Sequence, residues 1–310
     1  MKFGASIWPW KWGPPYEEAI TRIAKAGFKA VELIAWDRQT LDEYYTPAKI
    51  KELKSCLSNE GVELSEFVST PRDLASPDAK KREASIDQFK KMVDVGAALG
   101  TKIVNSVSVH PFSLDFPRIT DMPHVQEFRL NLPTGLDWKR NWEDYVGAMK
   151  RCCAFCETAG MKYALEPHPY RIMAGAASML RLIEHVGSPA LGMNLDPSHL
   201  FPCGELAEVV VYMLGDRIFH CHFSDNDGMT NAHWRVGRGK IDWTGVMRAL
   251  QEVGFDGVIS IELEDAPGGR DEHVPGPKRP AANAEFEYEN VAAMNYVKDI
   301  CRKLDIGFEE

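Results

Sequence analysis

Four residues that can bind a metal ion or move a proton close four successive apolar runs of the chain. These runs end at Glu166, Asp196, His222 and Glu262, and each interval between them is long enough for one helix and one strand. Three carboxylates that converge on one point do not all stay ionised at low cost unless a cation is bound. Carboxylate oxygens with one imidazole suit Mn²⁺, Mg²⁺, Fe²⁺, Co²⁺ or Zn²⁺. We therefore predict one divalent ion bound by these four residues, with Mn²⁺ the first choice.

Convergence of these residues requires a particular arrangement of strands and helices. Strand-like and helix-like runs alternate from end to end, eight of each, and we place helices at residues 78–99, 142–159 and 285–304 among others. Such alternation is typical of a parallel sheet. Eight units without a GxGxxG motif after the first strand favour a closed (β/α)₈ TIM barrel over an open sheet. We predict one α/β domain over residues 1–310, with the four residues at the carboxyl ends of its strands, where such barrels have their active sites.

Two long segments interrupt the alternation, at residues 111–141 after the fourth strand and 266–284 after the eighth. Because both follow strands, we expect them on the catalytic face. Loops of this length inside a compact domain are usually functional or disordered.

Composition narrows the classes of partner. The 310 residues include 45% hydrophobic and 26% charged residues, with a net charge of −9. This charge disfavours nucleic acid or an anionic membrane as the main partner. The chain has no apolar run long enough to span a membrane and no signal-peptide pattern, and its seven cysteines form no even framework. We expect a cytoplasmic protein in a reducing compartment.

Aromatic and polar residues near the predicted strand ends could bind a sugar. Indole rings stack on the apolar faces of sugars, although tryptophans could instead cap the barrel core. We assign substrate binding to Trp8, Trp10, Trp36, Asn105, His199, Arg235 and Arg238. Under the alternation of a strand, His220 shares a face with His222 and lies deeper. Asp225 and Asp265 are expected to orient the metal ligands.

A metal ion beside two carboxylates and a sugar indicates enolisation. The ion would polarise a carbonyl group, and a carboxylate or imidazole would remove the adjacent C–H proton. Glu166 and Glu262 would face each other across the substrate, each both a ligand and a potential base. Return of the proton would isomerise or epimerise the sugar, whereas loss of a group β to the carbonyl would make the enzyme a lyase.

The same residues carry a resemblance to a known superfamily. The motifs "LEPH", "LDPSH", "HFSD" and "IELED", together with "RVGRGKIDWTGVMRAL", resemble the xylose isomerase-like TIM barrels of the sugar phosphate isomerase/epimerase superfamily. This resemblance implies the barrel fold and a metal site at Glu166, Asp196, His222 and Glu262. It leaves the reaction open, because members include isomerases, epimerases, dehydratases and endonucleases.

A narrower resemblance is to the α subunits of bacterial C-glycoside deglycosidases. It lies in "YYTPAKIKELKS", "PRITDMPHVQEF", "GLDWKRNWEDYV" and "LEPHPYRIM". Those enzymes are metal-dependent, cleave the sugar–aglycone carbon–carbon bond of 3-oxo-C-glucosides and pair with a smaller β subunit. The resemblance implies a catalytic subunit of a two-subunit lyase, in an oligomer, with His110 or His168 as an acid–base helper.

Three other functions stay open. A stand-alone sugar isomerase or ketose 3-epimerase would use the same metal and glutamates. Ketose epimerases, however, resemble each other in an arginine shortly after the metal-binding histidine, and "HFSDND" has none. An AP-endonuclease-like nuclease would need a basic groove, which the net charge of −9 disfavours. A non-catalytic sugar-binding barrel would not require the four-residue metal set.

Overall fold

Eight parallel strands form a closed barrel in the computed structural model, which describes residues 1–115, 130–267 and 283–310. Strand β1 pairs with β2 and with β8, where Phe3 lies opposite Ile259, so that the sheet has no free edge. The strands are β1 Lys2–Ala5, β2 Ala30–Ala35, β3 Glu63–Ser69, β4 Ile103–Val107, β5 Lys162–Glu166, β6 Leu191–Leu195, β7 Ile218–Phe223 and β8 Val258–Ile261. The predicted (β/α)₈ barrel is confirmed.

Helices follow the strands and pack around the barrel. They are α1 Glu17–Lys25, α2 Arg38–Glu43, α3 Pro47–Glu60, α4 Ala79–Leu99, α5 Trp138–Ala159, α6 Ala176–Val186, α7 Pro197–Leu200, α8 Ala207–Leu214, α9 Trp243–Glu252 and α10 Ala284–Lys303. Local chemistry sets their ends. Asp78 accepts hydrogen bonds from the backbone N–H groups of Lys80 and Lys81 at the start of α4, and Gly100 ends that helix in the left-handed region.

Three helical features differ from the sequence prediction. Helix α5 begins one turn earlier than residue 142, because the Asp137 carboxylate accepts a hydrogen bond from the Arg140 N–H at 3.0 Å and caps it there. The short helices α2 and α7 were absent from the prediction. Each begins after a capping aspartate, Asp37 or Asp196. Helices of one or two turns have too few residues for a periodic apolar pattern, so only the cap marks them.

The interior of the barrel is polar in its catalytic half. TIM-barrel interiors are usually filled by branched apolar side chains. Here Glu32, Glu66, Asn105, His220 and His222 project from β2, β3, β4 and β7 with 0% exposure. Buried groups of this kind must find hydrogen bonds, opposite charges or ions, because water cannot reach them. The polar interior therefore concentrates the functional chemistry inside the barrel.

The two long segments predicted to interrupt the barrel are described only in part. A 3₁₀ turn, Pro111–Ser113, follows β4, and α5 begins within the first segment. Residues 116–129 and 268–282 lie outside the described residues, so the order of both segments stays a prediction. Among the helices of the described ranges, none is long and apolar enough to cross a membrane.

Gly192 in β6 lies where this strand packs closely against Arg217 and Phe219. A Cβ atom there would overlap the carbonyl oxygen of Arg217 and the ring of Phe219. We expect Gly192→Ala to lower the free energy of unfolding by about 1–3 kcal/mol, as overpacking does. Urea denaturation measures the change.

Gly147 provides the control, since it lies on the exposed face of α5, where an added methyl group would meet open space among the described residues. Gly147→Ala should raise the free energy of unfolding by about 0.5–1 kcal/mol, because alanine is the better helix former. Equal effects of the two substitutions would contradict the packing at β6.

Candidate active site

His222 lies at the centre of the polar interior, at the end of β7. Its Nδ1 is 3.2 Å from Oε1 of Glu166 and 2.9 Å from Oε2 of Glu262. Glu166 is the last residue of β5, and Glu262 directly follows β8. Asp196, directly after β6, completes a group of four side chains whose ligand atoms all lie within 4.8 Å of one another. The structure thus brings together the four residues that the sequence assigns to a metal ion.

The donor set of this group fits a divalent cation. Asp196 directs one oxygen to the Ser198 N–H at 2.7 Å as the cap of α7, while its buried Oδ2 makes no hydrogen bond to the described residues. Oε2 of Glu262 is also buried, and the one described group that it faces is Nδ1 of His222 at 2.9 Å. Three buried carboxylates and one imidazole nitrogen match the ligand preference of Mn²⁺, Mg²⁺, Fe²⁺, Co²⁺ or Zn²⁺. Glu166, Asp196, His222 and Glu262 would hold the ion.

The carboxylates of this group differ in electrostatic environment. Burial raises the pKa of Glu262 to about 7, against the opposing charge of His222. Burial also disfavours the charged form of Glu166, but His222 and His168 outweigh it and hold the pKa of that carboxyl well below its ordinary value. Two carboxyl groups on one imidazole therefore have different proton affinities.

Three histidines lie against the same carboxylates. The rings of His168 and His199 have centroids 3.5 Å apart, and His233 meets His199 edge-on at 4.7 Å. Nε2 of His199 is 3.8 Å from Oε1 of Glu166 and 3.5 Å from Oδ2 of Asp196. Burial lowers the pKa of His199 to about 3, so this ring is neutral near pH 7. His168, predicted as catalytic, and His199, predicted to bind substrate, both reach the site.

The loop after β7 brings His233 to the site; the sequence indicated this residue only as one of several polar groups on the rim and assigned it no role. Its Nε2 is 3.5 Å from Oδ2 of Asp196. Burial disfavours the charged ring, but the Asp196 carboxylate raises the pKa of His233 to about 10. The signal in the sequence was weak, because His233 follows no strand and belongs to no periodic pattern.

The two aspartates expected to orient metal ligands instead shape this loop. Asp225 accepts hydrogen bonds from the Gly237 N–H at 2.9 Å and from the Trp243 indole N–H at 2.8 Å. Asp265 accepts from the His233 backbone N–H at 2.8 Å. The prediction for both was wrong in its detail, since short carboxylates that follow a strand reach nearby backbone N–H groups rather than the ligand side chains.

Tryptophans form one wall beside the carboxylates. The Trp8 indole N–H donates to Oε1 of Glu262 at 2.7 Å, and the Trp8 ring lies 5.6 Å from the His222 ring between centroids. Trp36 meets Trp8 edge-on and stacks on Trp12 at 3.8 Å. Trp8 and Trp36 are thus at the site, as predicted for substrate contacts.

The structure corrects the prediction that Trp10 binds substrate. It is fully buried, packs edge-on against Phe28 and Phe286 and lies under the Arg22 guanidinium. These neighbours belong to the packing between the barrel and helices α1 and α10. The chain turns after β1, so Trp8 and Trp10 face different ways.

Three other predicted substrate contacts are placed differently from expectation. Asn105 is buried inside the barrel, where its Nδ2 donates to Oε1 of Glu66 at 3.0 Å. Arg235 and Arg238 pair with Glu289 of α10 at 3.5 and 3.1 Å, because this buried carboxylate attracts both guanidinium groups. The structure therefore directs these three side chains to other protein groups.

His110, predicted as an acid–base helper, lies where β4 gives way to the first long segment. Its Nδ1 is 3.4 Å from the carbonyl oxygen of Tyr170, and burial lowers its pKa to about 4. Its part in catalysis stays a prediction.

Two buried glutamates in the barrel were not singled out from the sequence. Glu32 and Glu66 lie within β2 and β3, and their oxygens are 3.1 and 3.2 Å from Nε2 of His222. The available signal was a single acid inside each of the otherwise apolar runs "AVELIA" and "SEFVS". Their positions place carboxylates on both ring nitrogens of His222.

A divalent cation should stabilise the folded protein, since an ion that binds only the native state shifts the unfolding equilibrium. We expect Mn²⁺ at about 100 times its dissociation constant to add roughly 2.7 kcal/mol, seen as a rise in Tm by calorimetry. Asp196→Asn should give a clearly smaller rise, because it weakens the ligand with an unsatisfied oxygen.

Glu289→Gln is the matched control, because Glu289 is equally buried but pairs with Arg235 and Arg238 outside the four-residue group. Its Mn²⁺-induced rise should equal that of the wild type. An undiminished rise in Asp196→Asn would remove that residue from the metal site.

Comparison with known proteins agrees with the fold and with the character of this site. Fructoselysine 3-epimerase of Shigella flexneri is 22% identical over 80% of this chain and 85% of its own length. Inosose dehydratase of Lacticaseibacillus casei is 25% identical over 81% of this chain and 83% of its own. The structure of D-psicose 3-epimerase from Clostridium cellulolyticum superposes with a TM-score of 0.75 at 20% identity, covering 97% of this chain and 99% of that one.

Both relatives compared by sequence are enzymes, which supports the expectation of catalysis at this site. The family model described as xylose isomerase-like TIM barrel matches residues 20–288, most of the chain. The chain belongs to the xylose isomerase-like TIM barrel family.

Proposed function

We propose that the protein is a divalent-metal-dependent enzyme that acts on a keto sugar by enolisation. The observation that carries this proposal is the pair of carboxylates, Glu166 and Glu262, that meet at Nδ1 of His222 beside Asp196. The fructoselysine 3-epimerase and the inosose dehydratase among the relatives support an enzyme that acts on sugars.

The chain supplies proton transfer and orientation. A bound divalent ion would polarise the substrate carbonyl and favour negative charge on its oxygen. Glu262, whose Oε1 is held by the Trp8 N–H, is the first choice of base for the proton on the adjacent carbon. Glu166, from another strand, is positioned to donate or remove a proton in turn. The Trp8 and Trp36 rings offer the apolar wall for a sugar ring.

Carbon–carbon cleavage of a 3-oxo-C-glucoside is our specific proposal. The base removes the proton at C2, and the electron pair forms an enolate with the C3 carbonyl. When the carbonyl re-forms, the pair becomes a C1=C2 double bond and the bond from C1 to the aglycone breaks. The aglycone carbon keeps the bonding electrons and takes a proton. His168 is our candidate donor, because its buried Nε2 makes no hydrogen bond to the described residues and lies 3.9 Å from Oε2 of Glu166, beside His199.

A stand-alone sugar isomerase or 3-epimerase is the second candidate, and a different observation favours it. Epimerisation needs proton removal and return, which two carboxylates perform without an acid for a leaving group. Glu166 and Glu262 satisfy this need, and fructoselysine 3-epimerase is a relative over four-fifths of the chain. The placement of Arg235 and Arg238 argues against this candidate. Both guanidinium groups pair with Glu289, so neither is directed at a free ketose.

The partner and the metal belong to the same proposal. We propose Mn²⁺ as the native ion, a small-molecule glycoside as substrate, and a smaller β subunit that completes an oligomeric lyase. The long segments after β4 and β8 would then meet the aglycone or that subunit.

Proton exchange in D₂O distinguishes the two outcomes. The Mn²⁺-loaded protein is incubated with a 3-oxo-C-glucoside, with and without a candidate β subunit, and products are followed by NMR. We expect release of the free aglycone, abolished by a chelator and by Glu166→Gln. Deuterium at C2 or a new epimer with the aglycone still attached would establish the epimerase. No exchange and no cleavage in any arm would contradict enolisation of this substrate.

Trp8 tests the orientation of the base. Trp8→Phe removes the hydrogen bond to Glu262 but keeps an aromatic ring, and we expect kcat to fall about 10-fold or more, as for other groups that orient reactive side chains. Steady-state kinetics with the sugar that the wild-type protein converts in the D₂O experiment measure kcat and KM separately.

Trp10→Phe is its matched control. Trp10 is also buried, and its indole nitrogen makes no hydrogen bond within the described part of the chain, so the substitution removes none there. Its kcat should stay within about twofold of the wild type, on the ordinary tolerance for conservative aromatic changes. Equal losses in both variants would show that Trp8 acts through packing alone.

A further inference from the structure

A second cluster of ligand-type side chains lies deeper in the barrel than the site described above. It consists of Glu32, Glu66, His220 and His222, all fully buried, with their ligand atoms within 4.8 Å of one another. We propose that Glu32, Glu66 and His220 bind a second divalent cation, which makes the barrel interior a two-cation centre. This inference does not depend on which sugar is the substrate.

Each glutamate in this cluster uses one oxygen and leaves the other unsatisfied. Oε2 of Glu32 and Oε1 of Glu66 face Nε2 of His222 at 3.1 and 3.2 Å. The remaining oxygens face His220, with Oε1 of Glu32 at 3.6 Å from its Nε2 and Oε2 of Glu66 at 3.7 Å from its Nδ1. These separations are too long for hydrogen bonds, and neither oxygen has another partner among the described residues. Two carboxylate oxygens without a hydrogen bond to the described residues therefore lie beside His220 in a closed interior.

The orientation of His220 indicates which of its ring nitrogens can bind a cation. Its Nδ1 is 3.1 Å from Oδ1 of Asn194, an oxygen that can only accept, so Nδ1 carries the proton. In the neutral ring the lone pair of Nε2 then points toward Oε1 of Glu32. The Ser260 hydroxyl lies 3.5 Å from Nε2, at the limit of a hydrogen bond, so Nε2 of His220 and Oε1 of Glu32 remain two acceptors that one cation between them would bind. Oδ1 of Asn105 is a third buried oxygen that accepts no hydrogen bond from residues 1–115, 130–267 or 283–310, on a side chain that contacts Glu66.

Charge balance inside the barrel supports a second cation. Five carboxylates are almost completely buried: Glu32, Glu66, Glu166, Asp196 and Glu262. One divalent ion compensates two of these negative charges and the His233 ring beside Asp196 compensates a third, which leaves two. Buried carboxylates without a compensating partner are strongly unfavourable. A second ion next to Glu32 and Glu66 compensates the two carboxylates that lie outside the group of Glu166, Asp196 and Glu262.

The two ring nitrogens of His222 keep the two ions separate. With Nδ1 bound to the ion at Glu166, Asp196 and Glu262, its Nε2–H donates to Glu32 and Glu66. The second ion then depends on Oε1 of Glu32 and Nε2 of His220, with one oxygen of Glu66 completing the group whose ligand atoms lie within 4.8 Å of one another. Two oxygens and one imidazole nitrogen suit Zn²⁺, Co²⁺, Mn²⁺ or Fe²⁺.

Metal counting on the purified protein tests the proposal. The wild type and variants are loaded with Zn²⁺, dialysed against metal-free buffer and analysed by inductively coupled plasma mass spectrometry. We expect two ions per chain in the wild type and one in the double variant Glu32→Gln, Glu66→Gln. Asp196→Asn should also retain one, and the buried control Glu289→Gln should retain two.

A single ion in the wild type would overturn the proposal, and so would two ions in the double glutamine variant. Should the variants fail to fold, anomalous diffraction from Zn²⁺-loaded wild-type crystals decides the matter. A peak among Glu32, Glu66 and His220 supports the second site. Its absence there refutes it, whatever the activity of the protein toward any sugar.

Discussion

The burial of negative charge around one imidazole is the constraint on which the rest of this structure depends. His222 lies within 3.2 Å of four glutamate oxygens, two on each ring nitrogen. In a site closed to water such a grouping is stable only with cations or protons among the carboxylates. The barrel therefore holds a set of ligands whose free energy is lowest when positive charge is bound, and this set lies where the strands open toward substrate.

The surrounding fold fixes that set from several directions. Each ligand stands at or near the end of a different strand, so its backbone is held by neighbours on both sides. Helix α7 directs one oxygen of Asp196, and the Trp8 N–H directs one oxygen of Glu262. Asp225 and Asp265 hold the loop that presents His233. A proton-transfer enzyme needs this rigidity, because small displacements of a base cost large factors in rate.

Sequence reasoning succeeded where a periodic pattern ends in a chemically distinct residue. The alternation of strands and helices predicted the barrel, and acids or histidine at the ends of apolar runs predicted Glu166, Asp196, His222 and Glu262. It did not single out Glu32 and Glu66, since an acid inside a strand has the same local signature as a solvent-facing residue. It assigned Trp10, Arg235 and Arg238 to substrate because adjacency in sequence does not show which way a loop side chain turns. Their partners, Phe286 and Glu289, are distant in sequence.

Cadmium NMR of protein labelled with ¹⁵N-histidine would show directly whether the barrel carboxylates form a cation site with His222 as a ligand. We predict a ¹¹³Cd resonance coupled to Nδ1 of His222, distinct from any resonance coupled to His220, and loss of the His222 coupling in His222→Asn while the protein stays folded. A bound cadmium ion coupled to no nitrogen, or only to His199 and His233, would contradict a cation site centred on His222.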